Sequence, residues 1–168
     1  ADADPEAVVG QVAIDHPAQQ LQNQRRLAVR LRNLQIDVVI LLGRHVDALN
    51  ILFSHAFHPW EGGEGKVTGQ YTVSLVEIAK ARLQAGQSVA PVEALQRALS
   101  YPSNLGEGKL ANAYNTHIYY YLGQAYLALG DHDQARECFV KAASGALEVA
   151  GSRFVLLLQE LAQERERV

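Results

Sequence analysis

Sulfur-bearing residues are almost missing from this chain. Its 168 residues include no methionine and a single cysteine, Cys138. One cysteine cannot form an internal disulfide, which suggests a reducing compartment or a buried thiol. Because Cys138 lies between Glu137 and Phe139 in a helical pattern, we expect a packed thiol rather than a nucleophile. The lack of methionine leads us to expect a mature product or a piece excised from a larger protein.

Long apolar runs and a strong net charge are also missing. No apolar run reaches about 18 residues, and residues 1–6 are acidic, which argues against a membrane span and a signal peptide. The net charge of −3 disfavours nucleic acid as the main partner. The one basic cluster, Arg25, Arg26, Arg30 and Arg32, falls on a predicted helix and is interpreted as a solvated face. We therefore expect a cytoplasmic globular protein without nucleic-acid or membrane partners.

Residues 117–143 carry the clearest helical pattern. Tyr119, Leu122 and Tyr126 follow one another at spacings of three and four residues, which predicts one stripe on a helix. Gly123 lies beside this stripe and is small enough for a neighbouring helix to approach closely. The segment therefore begins with a helix that has a defined packing face.

A tight turn and a second helix are predicted to follow. Gly130 is expected to end the first helix, because a C-terminal position with positive φ costs glycine least. Asp131 is expected to cap the second helix, with Gln134 completing a capping box. The inward stripe of the second helix contains Ala135, Phe139 and Ala142. The result is a two-helix hairpin.

Two earlier hairpins emerge when this pattern is shifted along the chain. Shifts of 44 and then 43 residues place the turn glycine on Gly86 and Gly43. Under the first shift, Arg82 falls at the position of Tyr126 in the third hairpin. We therefore expect the aliphatic part of Arg82 to pack while its charged end reaches water. The second helix of the middle hairpin is expected to begin at Ala90 or Pro91, since proline is tolerated in a first helical turn.

A repeated loop precedes the second and third hairpins. Residues 63–67 read GEGKV and residues 106–110 read GEGKL, 43 residues further on. A repeat at this period predicts a solenoid of helical hairpins. The loops are interpreted as insertions that set the spacing between hairpins.

The third hairpin resembles a tetratricopeptide repeat, with tyrosine at the usual first tryptophan position and Leu147 in place of the closing proline. The residues that carry the resemblance are Tyr119, Leu122, Gly123, Tyr126, Gly130, Ala135, Phe139 and Ala142. The resemblance implies an all-α, right-handed solenoid whose usual unit of about 34 residues is lengthened by the glycine loops.

The predicted domain covers residues 15–168, after a poorly ordered lead-in at 1–14. A capped helix start with proline in its first turn is expected at residues 15–21, and whether this helix runs into the first hairpin is left open. A C-terminal capping helix is expected at about 147–166, with the apolar face Phe154, Leu157, Leu158 and Leu161. The three hairpins are expected at about 29–57, 72–101 and 116–143.

A second resemblance covers roughly residues 30–145 and is carried by the loop stretches 57–66 and 101–106. They are similar to the C-terminal repeat region of large uncharacterised bacterial proteins, which carry sugar-enzyme-like, β-rich domains ahead of their repeats. The resemblance implies a helical module separated from a carbohydrate-related bacterial enzyme.

The glycine loops have two interpretations. One is a ligand loop, with Trp60 as an apolar or sugar-stacking platform and Lys66 as an anion contact. The other is a sharp structural path between hairpins, favoured because the motif recurs without tryptophan. The candidate ligand residues are His58, Trp60, Glu61, Glu64, Lys66, Glu107 and Lys109.

No catalytic or metal-binding set stands out. Neither motif has the spacing of a phosphate-binding P-loop. Glu61 and Glu64 are interpreted as solvated rather than as a pair for glycoside chemistry. His45, His55 and His58 lack a second ligand cluster at zinc-like spacing. We predict a non-catalytic protein without cofactor or metal.

The inner face of the solenoid is the remaining candidate surface. By template position, the resemblance to tetratricopeptide repeats assigns to it Arg30, Asn33, Asp37, Lys80, His117, Tyr120 and Gln124. This polar mixture of both charges suits a peptide or a protein domain, and it lacks the full set of lysines and asparagines with which chaperone-binding members grip a C-terminal carboxylate. We expect a protein-interaction scaffold; the alternative is a ligand-binding accessory domain of a carbohydrate-active protein. Self-association is left open.

Overall fold

The computed structural model describes residues 17–58, 64–110 and 115–149, with side chains to residue 145. These residues form helices and no strand, and the all-α solenoid of helical hairpins is confirmed. A 3₁₀ turn at Ser103–Leu105 lies between the fourth and fifth helices. The helices are α1 (Pro17–Leu41), α2 (His45–Phe53), α3 (Lys66–Gln84), α4 (Val89–Ala98), α5 (Thr116–Leu129) and α6 (His132–Val149).

Each hairpin turns at a glycine in the left-handed region. The φ angles of Gly43, Gly86 and Gly130 are 72°, 76° and 80°, values that glycine adopts at little cost. At each one, the glycine N–H donates to the carbonyl three residues back and the next N–H to the carbonyl five residues back, with N–O distances between 2.9 and 3.0 Å. This is the Schellman pattern, which ends the first helix of every hairpin. The predicted turn glycines are confirmed.

The starts of α1, α4 and α6 lie close to their predicted positions. α1 begins at Pro17 and runs unbroken into the first hairpin, which settles the point that the sequence left open. α4 begins at Val89, and Pro91 is buried in its first turn. Before α6, the Gln134 N–H donates to the Asp131 carboxylate at 3.1 Å. The Asp131 N–H itself donates to a carbonyl of α5, so this half of the capping box forms without its reciprocal bond.

The core runs through all three hairpins. Two details of the third agree with the sequence: a Cβ on Gly123 would lie 2.8 Å from the Phe139 ring, and Cys138 is buried, which raises the pKa of its thiol. Burying an aliphatic side chain contributes roughly 1.5–3 kcal/mol, so this continuous cluster holds the hairpins together. Its largest fully buried side chains are Ile36, Leu52, Tyr71, Leu75, Leu95, Leu105 and Ile118.

The two GEGK motifs adopt different conformations. In the first, the positive φ (73°) falls on Gly65, and α3 begins at the next residue, Lys66, rather than at about residue 72. In the second, the positive φ (74°) falls on Gly106, and α5 does not begin until Thr116. The same four residues therefore start a helix in one loop and do not start one in the other.

The two loops dock against each other in what we call the loop clamp, formed by Phe57, Gly65, Asn104, Gly106 and Glu107. The Phe57 N–H donates to the Asn104 carbonyl at 2.7 Å. The Asn104 Nδ2 donates to the backbone carbonyls of Leu52 and His55 at the end of α2, both at 3.0 Å. The Gly65 N–H donates to Glu107 Oε2 at 3.0 Å, which places a carboxylate at the N-terminus of α3, where the helix dipole favours it.

Part of the predicted architecture lies outside the described residues. This applies to the lead-in at 1–14 and to most of the capping helix at 147–166. α6 extends to Val149 through Ser144 and Gly145, where the sequence suggested a break between the hairpin and the cap. The third hairpin is therefore longer than residues 116–143.

The close contact at Gly106 generates the first prediction. A Cβ at this position would lie 2.4 Å from the Phe57 carbonyl oxygen, whereas a Cβ on Gly86 meets nothing within 4 Å. The φ angles of the two glycines differ by only 2° (76° against 74°). We expect Gly86→Ala to lower the free energy of unfolding by about 1–2 kcal/mol, the cost of a left-handed alanine. Gly106→Ala should cost about 1–3 kcal/mol more, because it also overpacks the clamp.

Urea unfolding followed by circular dichroism measures both variants under one condition. Gly86→Ala is the matched control, since it carries the conformational cost without the steric one. Equal losses in the two variants would show that the loops do not press together at Gly106.

Candidate functional site

Residues of α3 and α5 form the most complete surface site, which we call the tyrosine–lysine patch: Glu77, Lys80, Tyr120 and Tyr121. Lys80 Nζ lies 2.7 Å from Glu77 Oε1 and 5.6 Å from the centroid of the Tyr121 ring. The Tyr120 and Tyr121 rings meet edge to face with centroids 5.3 Å apart. The hydrogen bond to Glu77 raises the pKa of Lys80, which keeps its ammonium charged. The patch thus joins a cation to two aromatic rings.

Two further predicted residues flank the patch on α5. His117 and Gln124 lie about one turn before and after the tyrosines, so they share a helix face with them. Partial burial lowers the pKa of His117, which favours the neutral ring. Tyr120 is 46% exposed and also contacts the Phe139 ring edge to face at 6.0 Å. One side of Tyr120 is therefore fixed by α6, and the other is open to a partner.

The α1 residues of the predicted inner face have a different environment. Asp37 binds Lys66, whose Nζ lies 2.8 and 2.7 Å from its two carboxylate oxygens. Gln70 Nε2 donates to Asp37 Oδ1 at 2.8 Å and to the Asn33 carbonyl at 3.1 Å. We call these four residues the α1–α3 network. It unites two residues assigned to the inner face with one assigned to the ligand loop, and it tethers α1 to α3.

Burial limits what part of this network a partner can reach. Asn33 is 5% exposed, and neither of its side-chain amide atoms has a hydrogen-bond partner in the described part of the chain. Desolvation raises the pKa of Asp37, but the hydrogen bonds from Lys66 and Gln70 and the charge of Lys66 outweigh it and hold that pKa below its ordinary value. Arg30 is exposed on α1. Of the α1 residues assigned to the inner face, Arg30 is thus the most accessible.

Four of the remaining loop candidates lie in the described part of the chain. His58, Glu64 and Lys109 are exposed, while Glu107 belongs to the loop clamp. Trp60 and Glu61 lie outside the described residues. Within 17–58, 64–110 and 115–149, no three His, Cys, Asp or Glu side chains are grouped so that they could hold a metal ion.

Sequence reasoning missed four residues that the structure brings to these sites: Glu77, Tyr121, Gln70 and Asn104. Glu77 lies three residues before Lys80 and Tyr121 directly follows Tyr120, so local spacing on a helix could have indicated both. Gln70 and Asn104 act on partners 33 and 52 residues away. No local pattern signals contacts at that separation.

Comparison with known proteins agrees with the geometry of the third hairpin. Residues 117–144 match the family model described as tetratricopeptide repeat, which covers α5 and most of α6. Repeats of this family are typically non-catalytic modules for protein interaction. No solved structure matches the chain. In the described ranges, no helix combines the length and apolar character that a bilayer crossing requires.

The Asp37–Lys66 ion pair generates a prediction with a defined pH dependence. The folded pKa of Asp37 is lowered, so the pair stabilises the fold above the unfolded pKa of about 3.9. This stability is lost as the pH falls through the lower, folded pKa. Because both side chains are about a third exposed (39% and 34%), we expect Lys66→Met to lower the free energy of unfolding at pH 7 by only about 1 kcal/mol.

Chemical denaturation at pH 7 and near pH 2 tests this expectation. The difference between Lys66→Met and the parent chain should shrink at the acidic pH. Lys109→Met is the matched control, because it removes the exposed lysine of the second motif and should have little effect at either pH. A loss for Lys66→Met that is the same at both pH values would contradict the role of the ion pair.

Proposed function

We propose that the chain is a non-catalytic interaction module whose inner face, centred on the tyrosine–lysine patch, binds a peptide or a protein domain. The observation that carries the proposal is the contact of Lys80 with Tyr121 across two neighbouring hairpins. The tetratricopeptide repeat at residues 117–144 supports it, because such repeats typically bind proteins. A cytoplasmic location and a bacterial source stay predictions.

The chemistry of the patch suits an acidic and aromatic peptide. The hydrogen bond to Glu77 holds the Lys80 ammonium in place. A carboxylate of the peptide would compete with Glu77 for this ammonium. Tyr120 and Tyr121 supply rigid surface at a low cost in side-chain entropy, and tyrosine is enriched in residues that dominate binding energy. His117 and Gln124 add hydrogen-bonding groups along the same helix face. On α1, Arg30 is the predicted inner-face residue that stays exposed, whereas Asn33 and Asp37 belong to the α1–α3 network.

Selection of peptides from a random library on the immobilised chain, followed by calorimetric titration of the selected peptides, tests this proposal. We expect Tyr120→Ala and Lys80→Glu each to weaken binding about tenfold or more, a loss of roughly 1.4 kcal/mol. Both side chains are at least partly exposed, so the variants should stay folded, although they lose the contacts with Phe139 and Glu77 and some stability with them.

The chain offers a matched control for Lys80. Lys141 on α6 lies 2.6 Å from Glu137 and 5.7 Å from the Tyr119 ring centroid, which repeats the local arrangement of the patch on another helix. Lys141→Glu should leave peptide binding unchanged. Equal losses for Lys80→Glu and Lys141→Glu would mean that the peptide responds to net charge and not to the inner face.

The second candidate function is an accessory ligand-binding domain of a carbohydrate-active protein. It rests on the composition of residues 58–66, whose Trp60 and Lys66 are the residue types that sugar and anion sites use. The contacts of Gly65 and Glu107 within the loop clamp favour a structural role for the rest of the motif. Trp60 is the only tryptophan, so its fluorescence reports on this loop alone. If the interaction module is the correct reading, a broad panel of sugars should leave that fluorescence unchanged, while a saturable shift would favour the accessory role.

A further inference from the structure

One face of α1 carries apolar side chains that no other described part of the chain covers. We call them the α1 stripe: Leu27, Leu31, Leu34, Val38 and Leu41. They are between 46% and 85% exposed. Their spacings of four, three, four and three residues average 3.5, the period of a coiled-coil seam. At 1.5 Å per residue, the stripe runs for roughly 21 Å along the helix.

The stripe is separate from the face that α1 uses inside the fold. Asn33 and Ile36 are the buried residues of α1, and they face the rest of the solenoid. In the heptad that the stripe defines, they take positions c and f, on the side away from the seam. α1 is thus apolar on two opposite sides, and only one of them is packed. Exposed apolar surfaces of this extent mark interaction sites more often than solvated faces.

We propose that a second copy of this chain covers the α1 stripe, with the two α1 helices pairing as an antiparallel coiled coil. Four of the five stripe residues are complementary to their own reverse, and Leu41 lies opposite Gln24 of the second copy. A two-fold axis between Leu31 and Leu34 sets Leu31 against Leu34 of the second copy and Leu27 against Val38 of the second copy. Each seam layer then pairs an a position with a d position, the arrangement that antiparallel packing requires.

The charges of α1 select the antiparallel order. Asp37 is the one acid of α1 and lies after its four arginines. Of these charged residues, Arg30 and Asp37 take g positions beside the seam, and the other arginines take b and c positions away from it. A parallel pair sets g against e, so Arg30 and Asp37 would not meet; the antiparallel pair sets g against g and brings Arg30 beside Asp37 of the second copy. Asp37 keeps 34% of its side chain exposed while it binds Lys66, so an arginine can still approach it.

Sedimentation velocity over a range of concentrations tests the dimer. We expect the parent chain to reach twice its mass of 18.4 kDa. The double variant Leu31→Glu/Leu34→Glu should remain a single chain, because each glutamate would lie in the seam. Val89→Glu is the control. Val89 lies on α4, away from the stripe, and at 59% it is as exposed as Leu31 and Leu34. Circular dichroism should show that all three chains stay folded.

Three results would overturn the proposal. The first is a single-chain mass up to about 1 mM, which would leave another protein or another segment as the occupant of the stripe. The second is a dimer that survives the double variant. The third is a dimer that Val89→Glu also abolishes, since this would place the contact elsewhere.

Disulfide trapping tests the antiparallel order separately. In a Cys138→Ala background, chains with Leu31→Cys are mixed with size-tagged chains that carry Leu34→Cys. The antiparallel pair brings these two positions close enough for a disulfide, so mixed dimers should form under mild oxidation. Leu31→Cys chains alone should cross-link poorly. Efficient cross-linking of those chains with each other would show a parallel pair and overturn the assigned orientation.

Discussion

The packing of α3 against its neighbours is the interaction on which the rest of the structure depends. α3 contacts the helices of its own hairpin and of both adjacent hairpins, α1, α2, α4 and α5. Tyr71 in its N-terminal half is 1% exposed, and the tyrosine hydroxyl donates to the Arg97 carbonyl at 2.9 Å. A single hairpin cannot cover its own apolar face, so stability in such a fold comes from the neighbours. The tyrosine–lysine patch and the α1–α3 network both depend on α3 being held in this position.

The long loops are part of this packing. Loops of this length would ordinarily be mobile, yet Leu105 is fully buried and the two loops share hydrogen bonds through the loop clamp. The clamp joins the end of α2 to the start of α3 by way of residues about 40–50 positions further along the chain. The insertions that lengthen the repeat therefore tie the end of the first hairpin to the start of the second, which suits a structural role for the glycines.

Features that depend on one residue or a short segment could be predicted from the sequence, and contacts between distant residues could not. The turns at Gly43, Gly86 and Gly130 were predictable, because a positive φ is a local property of one residue type. The pairing of Asp37 with Lys66 was not, since it joins residues 29 positions apart and depends on how α1 meets α3. The two GEGK motifs make the same point: identical residues start a helix in one loop and not in the other, because the surroundings decide.

The tyrosine–lysine patch and the α1 stripe differ in how firmly the rest of the fold holds the helices that carry them. The tyrosine–lysine patch lies on helices whose opposite faces are buried, so the fold holds its side chains in place without a partner. α1 is different, because among its 25 residues only Asn33 and Ile36 are buried, and residues 17–28 are all exposed. A helix without packing is marginal in water. Pairing of two α1 stripes would supply that packing, so the helicity of this segment and self-association of the chain would be thermodynamically linked.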